Sequence, residues 1–378
     1  MKIAGLFAGI GGIERGLHAA GHETSLLCEI DDAAQIILGE RFPGIPVSPD
    51  VRLLQDLPSV DIIAAGFPCQ DLSQAGKTAG IAGANSGLVS ELFRLVRDKK
   101  PEWLLLENVP FMLQLDKGSA MRFLTDSLGD LGYIWAYRIV DTRSFGLPQR
   151  RRRVIILAST NGDPRDVLMA DDKCEPSLLS PNGWACGFYW TEGTRGLGWA
   201  VDAVPTLKGG STVGIPSPPA ILMPDGSLGT PDIRDAERLQ GFPANWTKPV
   251  ENLGGKVLGR RWKLVGNAVS VPVFKWVGNR LASPGTRIET ESSELQPGDR
   301  WPNAAWGWNG KAFSVSLSAW PKRTRRQHLQ DFLKYDLHPL SIRAASGFLG
   351  RAHASTLRFP EGFLDAVEAH IMLLNEES

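Results

Sequence analysis

Short apolar runs alternate with stretches of helical spacing over residues 1 to 157, the pattern of a sheet covered by helices. The runs predict strands at Lys2–Phe7, Thr24–Glu29, Val60–Ala65, Trp103–Glu107, Tyr133–Val140 and Arg153–Ala158. Between the first two, Ile13, Leu17 and Ala20 share a helical face and Gly21 is placed to cap its end. Ala33–Arg41 and Leu88–Arg97 read as further helices. From residue 159 to about 200 the periodicity gives way to Asn, Asp, Pro, Gly and isolated Trp, which predicts a variable surface or recognition segment. Order returns at Asp232–Phe242 and Leu264–Leu281. Ser283–Asp299 has linker composition. Beyond it come Trp301, Trp306, Trp308 and Trp320, the basic run Lys322-Arg323-Thr324-Arg325-Arg326, and an apolar, helix-like end.

The 378 residues exceed the roughly 250–300 at which a single core stops growing, so two or three domains are expected. With 41 basic and 41 acidic side chains there is no global attraction to nucleic acid. Any such partner must be held by local clusters, of which Arg150–Arg153 and Lys322–Arg326 are the candidates. Cysteines at 28, 69, 174 and 186 form neither a CxxC pair nor a dense disulfide framework, which points to a reducing, cytoplasmic setting and suggests no metal site. No apolar run approaches the roughly 20 residues that span a bilayer, so no membrane partner is expected.

Four motifs carry chemistry. Leu6-Phe7-Ala8-Gly9-Ile10-Gly11-Gly12 joins the first strand to the first helix, where glycines allow a ligand close to the backbone. Glu14 stands where a dinucleotide fingerprint has its third glycine, and an acid there disfavours a pyrophosphate, so a nucleotide-like cofactor without phosphate is expected. Glu29, ending the next strand, suits ribose hydroxyls, and Asp50 could accept from an adenine amino group. Gly66-Phe67-Pro68-Cys69-Gln70 follows a strand at the sheet's carboxyl edge, where Cys69 is a nucleophile candidate if nearby cations favour its thiolate. Glu107-Asn108-Val109 emerges at the same edge. After four apolar residues, Glu107 is expected to be partly desolvated, with a raised pKa that lets it donate a proton. In Gln149-Arg150-Arg151-Arg152-Arg153, alternation would send Arg151 and Arg153 to one face, for phosphate or base contacts. Arg234-Asp235-Ala236-Glu237-Arg238-Leu239-Gln240-Gly241-Phe242-Pro243 and Gly266-Asn267-Ala268-Val269 complete the set.

These blocks, in this order, resemble the DNA (cytosine-5)-methyltransferase family over about residues 1 to 283. The resemblance implies an α/β, Rossmann-like S-adenosylmethionine-dependent methyltransferase fold with a smaller target-recognition lobe and a C-terminal extension. The implied domains are 1–158 for catalysis and cofactor, 159–263 for target recognition, 264–283 as a helix returning to the catalytic domain, 284–300 as linker and 301–378 as extension. It implies Cys69 adding to C6 of an extruded cytosine in double-stranded DNA, Glu107 acting at N3, Arg153 holding the carbonyl, and Arg151 supporting the catalytic loop. Phe7, Ala8, Gly9, Gly11, Gly12, Glu29, Ile30, Asp50, Val51, Gly66, Pro68, Leu88, Asn267, Ala268 and Val269 would line the S-adenosylmethionine pocket. Ile30 stands where many relatives have an aromatic residue. Gln70, Ser73, Gln149, Arg151, Arg234, Arg238 and Gln240 would face DNA, and Ser73–Gly87 would be the loop closing over the base. The enzyme is expected to be a monomer, associated with the nucleoid when on DNA, with a restriction or other defence partner.

Two departures stand out: the recognition portion is short, and the chain continues past the Gly-Asn block. The Trp-rich, basic tail either contacts DNA or a partner, or packs against the rest of the protein. A tRNA cytosine-5 methyltransferase of the same fold competes, although its usual Cys-Phe-Thr block is absent. A catalytically silent DNA-binding regulator is disfavoured by intact Cys69, Glu107 and Arg153.

Overall fold

Parallel pairing around Lys2–Leu6 sets the layout of the first half of the chain. A computed structural model describes residues 1–67, 87–177, 183–210, 217–255 and 257–376. The main sheet contains β1 (Lys2–Leu6), β2 (Glu23–Cys28), β3 (Val47–Ser48), β4 (Ile62–Ala65), β5 (Trp103–Asn108), β6 (Ile134–Asp141) and β7 (Arg152–Ser159). It is extended by β8 (Ser292–Glu294), β9 (Ala304–Trp308) and β10 (Lys311–Val315). The spatial order is β8-β10-β9-β6-β7-β5-β4-β1-β2-β3. β1 to β5 pair in parallel, whereas β7 is antiparallel to both β5 and β6. The chain leaves β1 towards β2 and β3, then crosses to β4 and β5. The strand order therefore reverses between β1 and β4, the place where folds of this kind bind ligands.

The helices follow the apolar spacing. They are α1 (Gly12–His18), α2 (Asp32–Arg41), α3 (Leu88–Lys99), α4 (Ser119–Asp130) and α5 (Val271–Ala282). Asp31 caps α2, its carboxylate accepting from the backbone of Ala33 and Ala34. Val89, Leu92, Phe93 and Val96 of α3 fall three or four apart and are buried together with Leu104 and Leu106 of β5 and Val154 and Ile156 of β7. Each such side chain contributes about 1.5–3 kcal/mol of burial. The helix expected over 264–283 is two, Val257–Asn267 and α5. Pro272 is the cause: it lacks an N–H and disfavours helical backbone in the residue before it, so a new helix begins there.

Two compact units result, each built from three stretches of chain: 1–144, 152–175 and 270–323 in the first, and 145–151, 176–269 and 324–378 in the second. The sequence-based division runs once along the chain and differs because strand pairing draws late segments back. The stretch expected as linker contributes β8. Trp301 is buried, donates from Nε1 to the Gly118 carbonyl at 3.0 Å and meets Trp135 and Tyr137 edge-on. Trp306 stacks on Phe313, and Trp320 is buried, so these tryptophans of the tail pack rather than face a partner. Arg138 of β6 is fully buried and donates to the carbonyls of Ser318 and Leu168 and to Asp172. Burial pushes its pKa down to about 10, with Asp172 opposing.

In the second unit a five-stranded sheet runs Trp199–Val201, Cys186–Phe188, Ala220–Leu222, Leu228–Thr230, His338–Pro339. Helices Ile342–His353 and Phe363–Glu376 pack on it, with Phe348 and Phe363 at 4.5 and 5.2 Å from the ring of Phe188. Much of the tail is thus structural in this unit too. No helix among the described residues is long and apolar enough to cross a membrane.

Gly5 and Glu14 shape the ground beneath the first loop. A Cβ on Gly5 would overlap the carboxyl of Glu14, which is fully buried. Burial raises the Glu14 pKa to about 7, its own backbone N–H opposing and Glu29 adding. The folded state therefore holds a proton that the unfolded chain releases near 4.5. The stabilisation from this proton is full below about 4.5 and is lost as pH rises through about 7. Thermal unfolding of the ligand-free protein between pH 5 and 8 should show Tm falling with pH by an increment that Glu14→Gln removes. Identical pH profiles for both proteins would refute this account.

Candidate active site

At the reversal point, β1 hands over to Phe7–Gly11. Ala8 N donates to the Cys28 carbonyl at 3.0 Å, and Gly11 N to the Ala8 carbonyl at 2.9 Å. Gly11 has a φ of 80°, and the ring of Phe42 fills the space that a Cβ would need. Phe7 adopts a φ of 54°, left-handed backbone that costs a non-glycine residue about 1–3 kcal/mol and that concentrates at functional loops. No sequence signal announces that strain. Glu29 braces the loop, one oxygen accepting from Gly9 N at 2.7 Å and the other from Asp31 N at 2.9 Å. Each oxygen keeps a second acceptor site. Ile30 beside it is 62% exposed.

Asp50 accepts from the backbone N–H of Arg52 at 2.9 Å and from its guanidinium at 2.5–3.0 Å. These hydrogen bonds hold its pKa below the usual carboxylate range. The carboxylate predicted to meet an adenine amino group therefore already has a cationic partner. Val51 behind it is buried. The loop from Phe7 to Gly12 carries no basic side chain, and Glu14 lies beneath it rather than at its mouth. Backbone amides, a ribose-compatible carboxylate and an exposed apolar side chain suit a nucleoside cofactor without phosphate. Leu88 opens α3. Pro68, Cys69, Gln70, Ser73 and the rest of the predicted closing loop up to residue 86 lie outside the described residues.

Because β5 ends where antiparallel β7 begins, Glu107 and Arg153 emerge at one edge. Arg153 Nε lies 2.9 Å from Glu107 Oε1, with the two side chains only 15% and 10% exposed. Glu107 is thus buried, in keeping with the desolvation expected of it, and it lies beside a guanidinium. Its other oxygen faces Gly66, where a Cβ would sit 3.5 Å away. Arg153 Nη1 also donates to the Arg152 carbonyl at 2.7 Å, which fixes the fork. The buried amide of Asn108 donates to the Phe67 carbonyl at 3.1 Å and accepts from Val109 N at 2.9 Å. It ties the backbone two residues before Cys69 to the strand that carries Glu107. The sequence marked Asn108 only as part of a run; a polar amide directly after a buried strand was the available signal.

The arginine run alternates in burial as predicted, Arg151 and Arg153 inward and Arg150 and Arg152 exposed, but it divides between two sheets. Gln149–Arg150 pairs with Val204–Pro205 in the second unit, whereas β7 starts at Arg152 in the first. Arg151, between them, is buried and donates to the carbonyls of Leu207 at 3.1 Å and Ala268 at 2.5 Å. Gln149 donates to Leu239 O and accepts from Leu207 N, and Gln240 donates to the carbonyls of Val265 and Ala268. Gln149, Arg151 and Gln240, expected to face DNA, are buried and hold internal carbonyls. Arg238 pairs with buried Asp235 and donates to Phe332 O. Arg234 pairs with Asp232 at 2.8 Å and lies over the Tyr335 ring, still partly exposed. Asn267 packs on Gly209, and Asn267, Ala268 and Val269 belong to the second unit, whereas Phe7–Gly12, Glu29, Asp50 and Gly66 belong to the first.

Comparison with known proteins places this geometry. Residues 1–178 match the family described as C-5 cytosine-specific DNA methylase. The chain is 50% identical to Type II methyltransferase M2.BsuMI of Bacillus subtilis (strain 168), over 97% of both chains. It is 29% identical to Type II methyltransferase M.BsuFI of Bacillus subtilis, over 73% of this chain and 71% of that one. Among solved structures, the S. pombe Dnmt2 methyltransferase shares the fold, with a TM-score of 0.50 at 17% identity over 75% of this chain and 97% of that one. With a curated relative at half identity along nearly its whole length, the chain belongs to the C-5 cytosine-specific DNA methylase family and is a DNA (cytosine-5)-methyltransferase.

Proposed function

We propose that this methyltransferase modifies one cytosine within a specific double-stranded DNA sequence, by way of a covalent bond to Cys69, as the modification half of a Type II restriction–modification system. The observation that carries the reading is the Glu107–Arg153 ion pair at the ligand-binding edge, with Asn108 clamping the backbone that leads to Cys69. The target atoms are inaccessible inside a base stack, so the cytosine turns out of the duplex. The Cys69 thiolate bonds to C6 while Glu107 hydrogen-bonds or protonates N3. Electron density pushed onto C5 makes that carbon the nucleophile. S-adenosylmethionine, when bound by Phe7–Gly12, Glu29, Ile30 and Asp50, supplies an electrophilic methyl group to C5. Loss of the C5 proton then expels the Cys69 sulfur and restores the aromatic ring. Arg153 orients Glu107 through its Nε, and its role toward the substrate is to hold the cytosine carbonyl. Half identity to a Type II methyltransferase favours DNA over tRNA as substrate and a cognate nuclease as companion.

Bisulfite sequencing of DNA from a methylation-free bacterial host expressing the protein should reveal protected cytosines in one sequence context. Cys69→Ser should abolish them, and full protection by that variant would overturn the nucleophile assignment. Glu107→Gln should lower single-turnover methyl transfer by about 10²–10⁴-fold, the usual worth of a positioned acid, with S-adenosylmethionine affinity retained. Arg153→Ala should bring a loss of similar order if it acts through Glu107. An undiminished rate in either variant, measured on folded protein, would remove that residue from the mechanism.

A further inference from the structure

Beneath the loop that follows β1 lies an acid that no step of the chemistry above uses. Glu14 is fully buried, and neither of its carboxyl oxygens has a hydrogen-bond partner. Buried polar groups are almost always paired, so an orphaned carboxyl under a ligand loop calls for a partner that the ligand brings. We propose that Glu14 is a specificity-determining residue that senses the charge of the cofactor: it gives up its proton to water when S-adenosylmethionine occupies the loop and takes one back when only the thioether product remains. This deepens the methyl-transfer reading above and rests on S-adenosylmethionine being the methyl donor.

The placement of this carboxyl is fixed within the first unit. Gly5 of β1 is bare where the carboxyl lies, and a Cβ there would overlap Oε1 and crowd Leu27 of β2. α1, which carries Glu14, springs directly from the loop, with Arg15 N donating to the Gly11 carbonyl at 3.0 Å. Phe274 of α5 packs against Gly16 one turn further on, so the helix cannot tilt to bring Glu14 into water. On the loop itself, Gly9 N donates to Glu29 Oε2 at 2.7 Å. One carboxylate thus braces the loop, and a second carboxyl supports it from inside.

The charges on the surrounding elements do not neutralise it. β1 has its one charged residue, Lys2, at the opposite and exposed end, and β2 contributes Glu29 at its near end. α1 itself carries Arg15 and His18, α2 ends in the Glu40–Arg41 pair, and α5 carries an exposed Lys275 and an Arg280 already paired with Asp171. Of these, Glu29 is the one whose charge acts on Glu14, and it has the same sign. Burial, with Glu29 adding, raises the Glu14 pKa to about 7, so near neutrality the acid stands between its two forms. A positive charge brought onto the loop tips that balance, because an opposite charge favours the ionised form and acts strongly through a dry interior. S-adenosylmethionine has a sulfonium where its product has an uncharged sulfur. An ionised Glu14 therefore favours donor over product, and the Phe7–Gly12 loop has no basic side chain to cancel the preference. Once the methyl group has left, the sulfonium charge is gone, Glu14 takes a proton from water, and the hold on the product weakens.

The test is calorimetric titration of the full-length protein with S-adenosylmethionine and with S-adenosylhomocysteine between pH 6 and 8. The ratio of the two affinities should swing towards S-adenosylmethionine by about tenfold as pH rises across that range. At pH 6.5, buffers of different ionisation enthalpy should show most of one proton released as S-adenosylmethionine binds. In Glu14→Gln the ratio should stay level and the released proton should be missing. His18, whose pKa burial lowers, is present in both proteins and cancels in the comparison, as do the amino groups of the ligands. Infrared difference spectra of the wild-type protein supply a measurement that needs no variant: a protonated carboxyl band should vanish on adding S-adenosylmethionine and persist with S-adenosylhomocysteine. A ratio independent of pH in the wild type, the same pH dependence in folded Glu14→Gln, or a carboxyl band that S-adenosylmethionine leaves in place would each overturn the proposal. Wild-type protein that binds neither molecule at any pH would instead overturn the cofactor reading on which it rests.

Discussion

The site depends on one antiparallel strand set against a parallel one. A parallel strand delivers its last residues to the carboxyl edge, and an antiparallel neighbour delivers its first residues there. β5 therefore offers Glu107 and β7 offers Arg153 at the same place, where they meet at 2.9 Å. Were β7 parallel, its first residues would lie at the opposite edge, roughly 20 Å away at about 3.3 Å per residue. The rest of this edge is arranged around the pair. Asn108, next along β5, reaches across to Phe67 after β4, and the strand order reverses one strand further at β1.

Enclosing such an edge makes heavy demands on β6 and β7, and the late part of the chain meets them. β9 pairs with β6 along Trp135–Arg138, so β6 is an interior strand with partners on both sides. Its fully buried Arg138 would be costly without acceptors, and carbonyls from separate segments together with Asp172 surround it. Trp301 closes the same region over Trp135 and Tyr137. The tail is in this sense part of the fold. Trp301 and Trp320 are buried, whereas Lys322 to Arg325 are exposed.

Charged and amide side chains in this protein divide into those that complete the fold and those that remain open to a ligand. Arg151, Gln149 and Gln240 saturate internal carbonyls, which would otherwise be buried without partners. Glu29 is intermediate: it braces Gly9 and Asp31 yet keeps acceptor sites for another donor. Glu14, deep under the same loop, is held by burial in a form that changes charge near neutrality.

Local pattern determined much of this. The apolar runs marked all six predicted strands to within two residues, because a strand buried on both faces must be continuously apolar. Gly9, Gly11 and Glu29 were legible as a tight loop at the sheet's edge, and the structure gives both glycines positive φ with Glu29 accepting from Gly9 N. Glu107 and Arg153 were legible as candidates through their placement at strand ends and through the order of the motifs. What the sequence could not state was pairing. The split of Gln149–Arg153 between two sheets, the burial of Arg151, the recruitment of 292–315 and 338–339 into sheets begun far upstream, and the clamp from Asn108 to Phe67 are all contacts between residues distant in sequence. Such contacts depend on which surfaces meet when the chain closes on itself, and side-chain periodicity carries no record of that choice; only the tertiary structure made it.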